Sequence, residues 1–262
     1  MKRNVVIGCV GLRGSGKSTT LREIVCCRPR LVVVDVMGEH AFGQRVADLE
    51  EALEMLDAVQ ERQNFALTIQ PGRGDLADVV DTLCDAVFDI GNLTLACEEL
   101  PHFCSANFLP EGLDALARMG RHRRVDLVYT GQRFAELPRR LTATTDFFVL
   151  FGQREPRDLE VLAERVGREV AERVERLPLH GRVIFDVLAG YCVAENGHSG
   201  VQVDQGVQIE QGLQVEQVVQ VEQGSRSSGW SSLTGTRSGN CGLELFPLLS
   251  AVCCRVISAS MC

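Results

Sequence analysis

The sequence predicts an α/β fold in which helices cover both faces of a mostly parallel central sheet. Two observations support this prediction. Short apolar runs, rich in β-branched residues, alternate along the chain with longer segments of helical periodicity. In addition, a glycine-rich segment at residues 11–19, GLRGSGKST, lies between the first apolar run and the first helical segment.

Apolar runs predict the strands, and helical periodicity predicts the helices between them. The run LVVVDV at 31–36 is typical of a parallel strand buried on both faces, and Pro71-Gly72 ends the strand that follows. The predicted strands are residues 5–10, 31–36, 65–70, 92–97, 125–130 and 146–151, with an edge strand at 182–187. The predicted helices are residues 19–25, 46–62, 75–90, 111–121 and 158–177. The ligand site of such a sheet is expected at the carboxyl ends of its strands.

Residues 11–19 match the phosphate-binding pattern G-x-x-x-x-G-K-[ST] in its expected place between a strand and a helix. The alternative, a flexible Gly/Ser turn, does not account for that context or for the scarcity of lysine, which occurs only at positions 2 and 17. We therefore expect ATP and Mg²⁺ as cofactors. Glycines allow backbone N–H groups to turn toward phosphate oxygens, and the helix N-terminus favours negative charge. The predicted nucleotide-binding residues are Gly11, Gly14, Ser15, Gly16, Lys17, Ser18 and Thr19.

Three of these residues have distinct expected roles. Lys17 is expected to reach the β- and γ-phosphates, and it counts among the predicted catalytic residues. The hydroxyl of Ser18 is expected to bind Mg²⁺, and Thr19 provides a secondary phosphate contact.

Two adjacent carboxylates, Glu98 and Glu99, follow the predicted strand 92–97. Such a pair at a strand end resembles a Walker B element, in which the first acid serves the metal and the second polarises the attacking water. We expect Glu98 in the metal role and Glu99 in the catalytic role. The alternative is a solvated turn that happens to carry two acids.

Composition excludes several classes of function. The chain has 262 residues and a formal net charge of −8, so any contact with DNA must be local. No apolar stretch approaches the ~20 residues that cross a bilayer, so we expect no membrane span and a cytoplasmic location.

The 11 cysteines include no C-x-x-C pair and are expected to be reduced. A metal site at Cys97, His102 and Cys104 lacks an evident fourth ligand, and ordinary packing is the better interpretation.

The segment from Met119 to Leu141 places a basic cluster before a strand that ends in Thr130-Gly131-Gln132-Arg133. Together with the phosphate loop and the acid pair, this order resembles the HerA/FtsK superfamily of P-loop ATPases. Within it, the chain is most similar to the genome-packaging ATPases of tailless icosahedral viruses and related mobile elements. Phe134 stands where those proteins commonly have proline, whereas Leu137-Pro138 is kept. The resemblance covers roughly residues 4–190.

The resemblance implies an ATP-driven translocase of double-stranded DNA, for viral genome packaging or DNA transfer, in the host cytoplasm if the protein is viral. It implies a homo-oligomeric ring, a hexamer, that contacts DNA without sequence specificity through arginines at 118–124 and 133–140. Gln132 is then the γ-phosphate sensor and a catalytic residue. Arg121 is the first candidate for an arginine finger donated to a neighbouring subunit, and Arg140 is the second.

Two other functions stay open at this point. A small P-loop kinase would need an acceptor pocket and a lid, for which Arg154 and Arg157 are available. A phage morphogenesis ATP-binding protein like zonula occludens toxin is the other, although such proteins usually carry a membrane span.

The composition changes at about residue 196. We predict a P-loop ATPase domain at 1–195 and a low-complexity, disordered tail at 196–262, with hexapeptide repeats at 201–224.

Overall fold

A mixed sheet of nine strands forms the centre of the part of the chain that this computed structural model describes, residues 4–72 and 74–195. The strand order across the sheet is β3-β4-β2-β5-β6-β1-β7-β8-β9. Strands from β3 to β7 in this order are parallel, and β8 and β9 are antiparallel to their neighbours. The strands are β1 (Val6–Val10), β2 (Arg30–Val34), β3 (Gln44–Val46), β4 (Phe65–Ile69), β5 (Leu93–Cys97), β6 (Val125–Gly131), β7 (Phe147–Phe151), β8 (Arg182–Asp186) and β9 (Tyr191–Glu195).

Helices connect most of the parallel strands. They are α1 (Lys17–Val25), α2 (Leu49–Val59), α3 (Leu76–Ile90), α4 (Glu111–Arg123), α5 (Arg139–Thr144), α6 (Pro156–Val166) and α7 (Arg168–Arg176). Short 3₁₀ helices lie at Leu100–His102 and Phe134–Glu136. Aspartates cap two of the helices, because Asp48 accepts the N–H groups of Glu50 and Glu51, and Asp75 accepts that of Ala77. Among the helices of the described residues, none combines the length and apolar character needed to cross a bilayer.

The two faces of the sheet are covered unequally. Alternate strand residues point to opposite faces, which gives two separate apolar clusters. On one face, helix α1 packs Leu21, Ile24 and Val25 against β1 and its neighbours. On the other face, the larger cluster contains side chains of all the remaining helices, α2 to α7. The predicted α/β sheet with helices on both faces is confirmed, and α1 is the one helix that contributes to the smaller cluster in the described part of the chain.

The structure corrects several predicted boundaries. The helix expected at 158–177 is two helices, because Gly167 between them has a left-handed φ of 93°. The helix expected to start at residue 46 starts at Leu49 instead, after the short strand β3. The strand at 182–187 was predicted to be an edge strand, and this is wrong because β9 pairs along its outer side. The predicted tail at 196–262 and its repeats at 201–224 lie outside the described residues, so the domain division stays a prediction.

Candidate functional site

The phosphate loop is attached to the ends of the two strands that flank β1. The N–H of Gly11 donates to the carbonyl of Gly131 at the end of β6 (3.1 Å), and the N–H of Leu12 donates to the carbonyl of Gly152 after β7 (3.3 Å). A Cβ at Gly11 would overlap the Cβ of Phe151, so only glycine allows this close approach. The loop is therefore fixed at the carboxyl edge of the parallel strands, where the sequence predicts the ligand site.

Lys17 is buried at the start of α1, with 5% of its surface exposed. Its ammonium donates to the carbonyl of Leu12 (3.1 Å) and lies 3.8 Å from a carboxylate oxygen of Glu99. Burial lowers the pKa of Lys17 because desolvation disfavours the charged form, and the charges of Glu99 and Glu98 oppose that effect. The hydroxyl of Ser15 is also buried and makes no hydrogen bond within the described residues.

Glu98 lies at the centre of the site and is 1% exposed. Its Oε1 accepts a hydrogen bond from the Ser18 hydroxyl (2.7 Å), and Nε2 of His40 lies 2.9 Å from the same oxygen, close but poorly aligned for a hydrogen bond. Burial alone would raise the pKa of Glu98, but the contacts with His40 and Ser18 outweigh burial and hold that pKa below its usual value. The other oxygen, Oε2, is buried without a hydrogen-bond partner in the described part of the chain.

Glu99 occupies a left-handed backbone conformation, with φ 51° and ψ 60°, which is uncommon for a residue with a side chain of this kind. Its N–H donates to the hydroxyl of Thr130 on β6 (2.8 Å). This bond ties the acid pair at the end of β5 to the neighbouring strand. The turn at Glu99 directs the two adjacent carboxylates to different partners, Glu98 to Ser18 and Glu99 to Lys17.

The loop between β2 and β3, residues 35–43, supplies the histidine that contacts Glu98. Asp35 is fully buried, and its carboxylate accepts the N–H groups of Gly38 (2.8 Å), Glu39 (3.1 Å) and His40 (2.7 Å). Farther along, the hydroxyl of Thr68 on β4 exchanges hydrogen bonds with the backbone of Phe42. These contacts hold the His40 imidazole, which is fully buried, against Glu98. Sequence reasoning missed His40, since a single histidine in a loop 58 residues before its partner gives no local signal.

Gln132 follows β6, next to the phosphate-loop anchor at Gly131, and its side chain is half-buried. The backbone carbonyl of Gln132 accepts a hydrogen bond from the side-chain amide of Gln153 (3.0 Å). Gln153, which follows β7, is 1% exposed, and sequence reasoning did not select it. Gln132 thus lies at the same edge of the sheet as the acid pair.

Arg121 is not brought to this edge. It is exposed in the last turn of α4, and α4 runs from the carboxyl end of β5 back to the amino end of β6. Arg121 therefore lies at the opposite edge of the sheet from the phosphate loop of its own chain. Arg140 lies nearer the site, but its guanidinium is paired with the buried carboxylate of Asp114 (2.5 Å).

Several other arginines of the predicted DNA-contacting clusters also have partners within the chain. Arg118 pairs with Asp114 (2.7 Å), Arg133 with Asp158 (3.0 Å) and Arg139 with Glu164 (2.9 Å). These pairs neutralise much of the positive charge at 133–140. The end of α4, at residues 121–124, is the more exposed of the two basic clusters.

Arg154, which the kinase alternative assigns to a mobile lid, is bound to backbone instead. Its guanidinium donates to the carbonyls of Val174, Glu175 and Leu177 at the end of α7. Arg157 is exposed and pairs with Glu160 one helical turn away (3.1 Å).

Cys97 and Cys104 are both buried. Burial raises the pKa of Cys104 to about 12 and also raises that of Cys97, so both thiols are protonated at neutral pH. Across residues 4–72 and 74–195, no group of three His, Cys, Asp or Glu side chains is arranged to hold a metal ion alone.

Comparison with solved structures identifies this architecture. Over 75% of the chain and all of the compared chain, it matches the genome packaging NTPase B204 of Sulfolobus turreted icosahedral virus 2, in complex with ATP-gammaS, at 19% identity and a TM-score of 0.62. The chain has a P-loop NTPase fold. The DNA-packaging ATPase B204 of Sulfolobus turreted icosahedral virus matches the same packaging-NTPase fold at 18% identity and a TM-score of 0.62, over 76% of this chain and 100% of the other.

The N-terminal domain of zonular occludens toxin from Neisseria meningitidis also matches, over 78% of this chain and 96% of that domain. Its identity of 10% and TM-score of 0.40 are too low to support an argument about function. Neither protein-family models nor curated protein sequences give a match to this chain. The similarity to the packaging-NTPase fold therefore rests on structure.

Proposed function

We propose that this protein is an ATPase that hydrolyses ATP with Mg²⁺. The observation that supports this most directly is the meeting of Ser18, Glu98, Lys17 and Glu99 at one edge of the sheet, within 2.7 to 3.8 Å of their partners. An ammonium, a hydroxyl and two carboxylates at the end of a phosphate loop are the groups that nucleoside triphosphate hydrolysis requires. The packaging-NTPase fold, found in one case with an ATP analogue bound, supports the same assignment.

The residues of this chain suit a magnesium ion. The buried oxygen Oε2 of Glu98 has no hydrogen-bond partner among the described residues, and the Ser18 hydroxyl already contacts the other oxygen. One carboxylate and one hydroxyl, with substrate phosphates and water, are a usual set of Mg²⁺ ligands. Ser18 and Glu98 would hold the ion, which neutralises phosphate charge when bound.

The remaining residues have separate roles. Lys17 exchanges its contacts with Leu12 and Glu99 for contacts with the β- and γ-phosphates. Release of Lys17 leaves the Glu99 carboxylate able to accept a hydrogen bond from the attacking water and to orient it. Gln132 follows β6, the strand next to the one that the acid pair follows, and it senses the γ-phosphate through its side-chain amide.

We extend the proposal to movement of double-stranded DNA by a homo-oligomeric ring. Support comes from the similarity to packaging proteins and from the exposed basic end of α4, at residues 121–124. Because the net charge is −8, DNA contact must be confined to such a local surface. Arg121 then serves either as the finger that reaches the neighbouring subunit or as a DNA contact. The kinase alternative is weakened because Arg154 is bound to the end of α7.

ATP turnover measured across a range of protein concentrations, with and without double-stranded DNA, tests both parts of the proposal. Glu99→Gln is expected to keep ATP binding and to lower turnover by about 10² or more, the usual effect of losing a general base. Glu50→Gln, at an exposed position in α2, is the matched control and should turn over ATP at the native rate.

The native protein should hydrolyse ATP more rapidly per subunit as its concentration rises, and DNA should stimulate it most strongly at low salt. If Glu99→Gln hydrolyses ATP at the native rate, a residue other than Glu99 is the catalytic base. If the protein is a monomer whose rate of hydrolysis per subunit depends on neither protein concentration nor DNA, the translocase part of the proposal is contradicted and the ATPase part is not.

A further inference from the structure

The loop between α7 and β8 lies beside the phosphate loop, on the side away from the acid pair. In the order of the sheet, β5 and β6 are on one side of β1, and β7 and β8 are on the other. Glu98, Glu99 and Thr130 belong to the first side. The loop at residues 177–181 leads into β8 and belongs to the second. A Cβ built on Gly16 would lie 3.7 Å from Nδ1 of His180, so the imidazole directly adjoins the phosphate loop.

The position of the two acids on one side of the phosphate loop therefore sets the orientation of a bound nucleoside triphosphate. Its terminal phosphate belongs near Lys17 and the two acids, because those are the groups that act on it. The chain of phosphates then runs along the start of α1, and the nucleoside leaves the loop on the side of β7 and β8. At that end, Thr19 is exposed on α1, and the 177–181 loop is the neighbouring segment.

We propose that Leu179 and His180 form the nucleoside-binding wall of the ATP site. Leu179 is 71% exposed next to His180, so its apolar side chain is available to cover the face of a base. The imidazole of His180 is a planar ring beside the phosphate loop and suits stacking against a base or a hydrogen bond to the ribose. This inference rests on the proposed ATPase function, since it assigns the other end of the same substrate.

The loop is held at both ends, as a preformed binding surface requires. At its start, the guanidinium of Arg154 donates to the carbonyl of Leu177 (2.8 Å). At its end, Arg182 donates to the hydroxyl of Thr20 (2.8 Å) and pairs with Glu23 (3.1 Å), both on α1. The segment that carries the base contacts is therefore fixed to the helix that carries the phosphate contacts.

The turn inside the loop is tight as well. The N–H of Gly181 donates to the carbonyl of Pro178 (2.9 Å), and His180 has a φ of 66°, in the left-handed region. A histidine in that conformation is disfavoured and persists only where the surroundings enforce it. Strain of this kind often accompanies ligand contacts, which agrees with the position of His180 next to Gly16.

Binding of ATP compared with binding of inorganic tripolyphosphate, both with Mg²⁺ and measured by calorimetry, tests the proposal. Tripolyphosphate reports the phosphate loop alone, whereas ATP reports the loop and the nucleoside wall. The variants Leu179→Ala and His180→Gly should each weaken ATP binding by about tenfold, as the loss of one stacking contact does, and should leave tripolyphosphate binding unchanged. Glycine at 180 tolerates the positive φ, so the turn is kept. Leu188→Ala is the matched control, since Leu188 is 74% exposed in the turn after β8.

Native ATP affinity in both loop variants would overturn the inference. An equal loss of ATP and tripolyphosphate affinity would also overturn it, because the loop would then act on the phosphates or on the fold. If the native protein itself bound neither ligand, the proposed ATPase function would fail, and the wall with it. If the native protein binds tripolyphosphate as tightly as ATP, the result supports the phosphate loop as a binding site and contradicts the nucleoside wall alone.

Discussion

Replacement of Asp35 by alanine should destabilise the protein strongly and disturb Glu98, with which the Asp35 side chain interacts. The Asp35 carboxylate is fully buried and accepts three backbone N–H groups at 2.7 to 3.1 Å. Glu39 is exposed, so water can replace the lost partner there, whereas the N–H of His40 is buried. A buried donor left unpaired costs about 1–3 kcal/mol, and each bond to a charged acceptor contributes about 1.5–3 kcal/mol. We expect Asp35→Ala to lower the free energy of unfolding by about 4 kcal/mol.

Thermal unfolding measures this effect directly. For a domain of this size each kcal/mol shifts the midpoint by about 2–4 °C, so Asp35→Ala should melt roughly 8–16 °C below the native protein. Asp48→Ala is the matched control, because Asp48 also accepts two backbone N–H groups, but at an exposed helix start. Loss of such a cap costs about 1 kcal/mol. Equal melting temperatures of the two variants would refute the argument that burial makes the difference.

The same substitution has a functional consequence. Without Asp35 the backbone of the β2–β3 loop loses the contacts that hold His40 against Glu98. The Mg²⁺ concentration that half-saturates ATP hydrolysis should rise severalfold in Asp35→Ala and stay unchanged in Asp48→Ala. If both variants keep the native Mg²⁺ dependence, then the loop does not position Glu98.

Three further predictions concern the phosphate loop and the arginines. Lys17→Ala should abolish ATP binding in calorimetry while the protein stays folded, because Lys17 is the ammonium that lies at the phosphate loop; native affinity would contradict the assignment. Subunits with Arg121→Ala mixed with subunits with Glu99→Gln should recover part of the turnover that each lacks alone, and no recovery would exclude a finger at Arg121 acting between subunits. Arg140→Ala should lower the melting temperature by leaving the buried Asp114 with one fewer ion-pair partner, and an unchanged midpoint would show that a pair with an exposed arginine contributes little here.

Most of the parallel sheet is predictable because its strands are buried apolar runs. Strand β3 was not predictable in this way, since it has three residues, of which Gln44 and Arg45 are exposed. Helix α5 has only six residues and follows a leucine-proline turn, so its periodicity is too short to detect. The break between α6 and α7 had a visible cause in Gly167, but a single glycine within a helical pattern is often tolerated.

The candidate site shows the same limit. The phosphate loop and the acid pair are local patterns, and in the structure the Ser18 hydroxyl donates to Oε1 of Glu98 (2.7 Å). His40, Thr130 and Gln153 reach the site from other strands and loops, and their positions depend on sheet order and crossovers rather than on neighbours in sequence. Local patterns therefore predict the phosphate loop and the acid pair more readily than the residues that hold them in place.

Under the proposed catalytic role of Glu99, its left-handed backbone implies a trade-off between stability and activity at that position. Glutamate in this conformation costs of order 1 kcal/mol, whereas glycine adopts it freely and asparagine tolerates it well. Glu99→Gly and Glu99→Asn should therefore relieve the backbone, while Glu99→Gln, with the same branching as glutamate, should not. Under selection for thermal tolerance alone, glutamate at position 99 would be replaced. Retention of the acid would require selection for turnover.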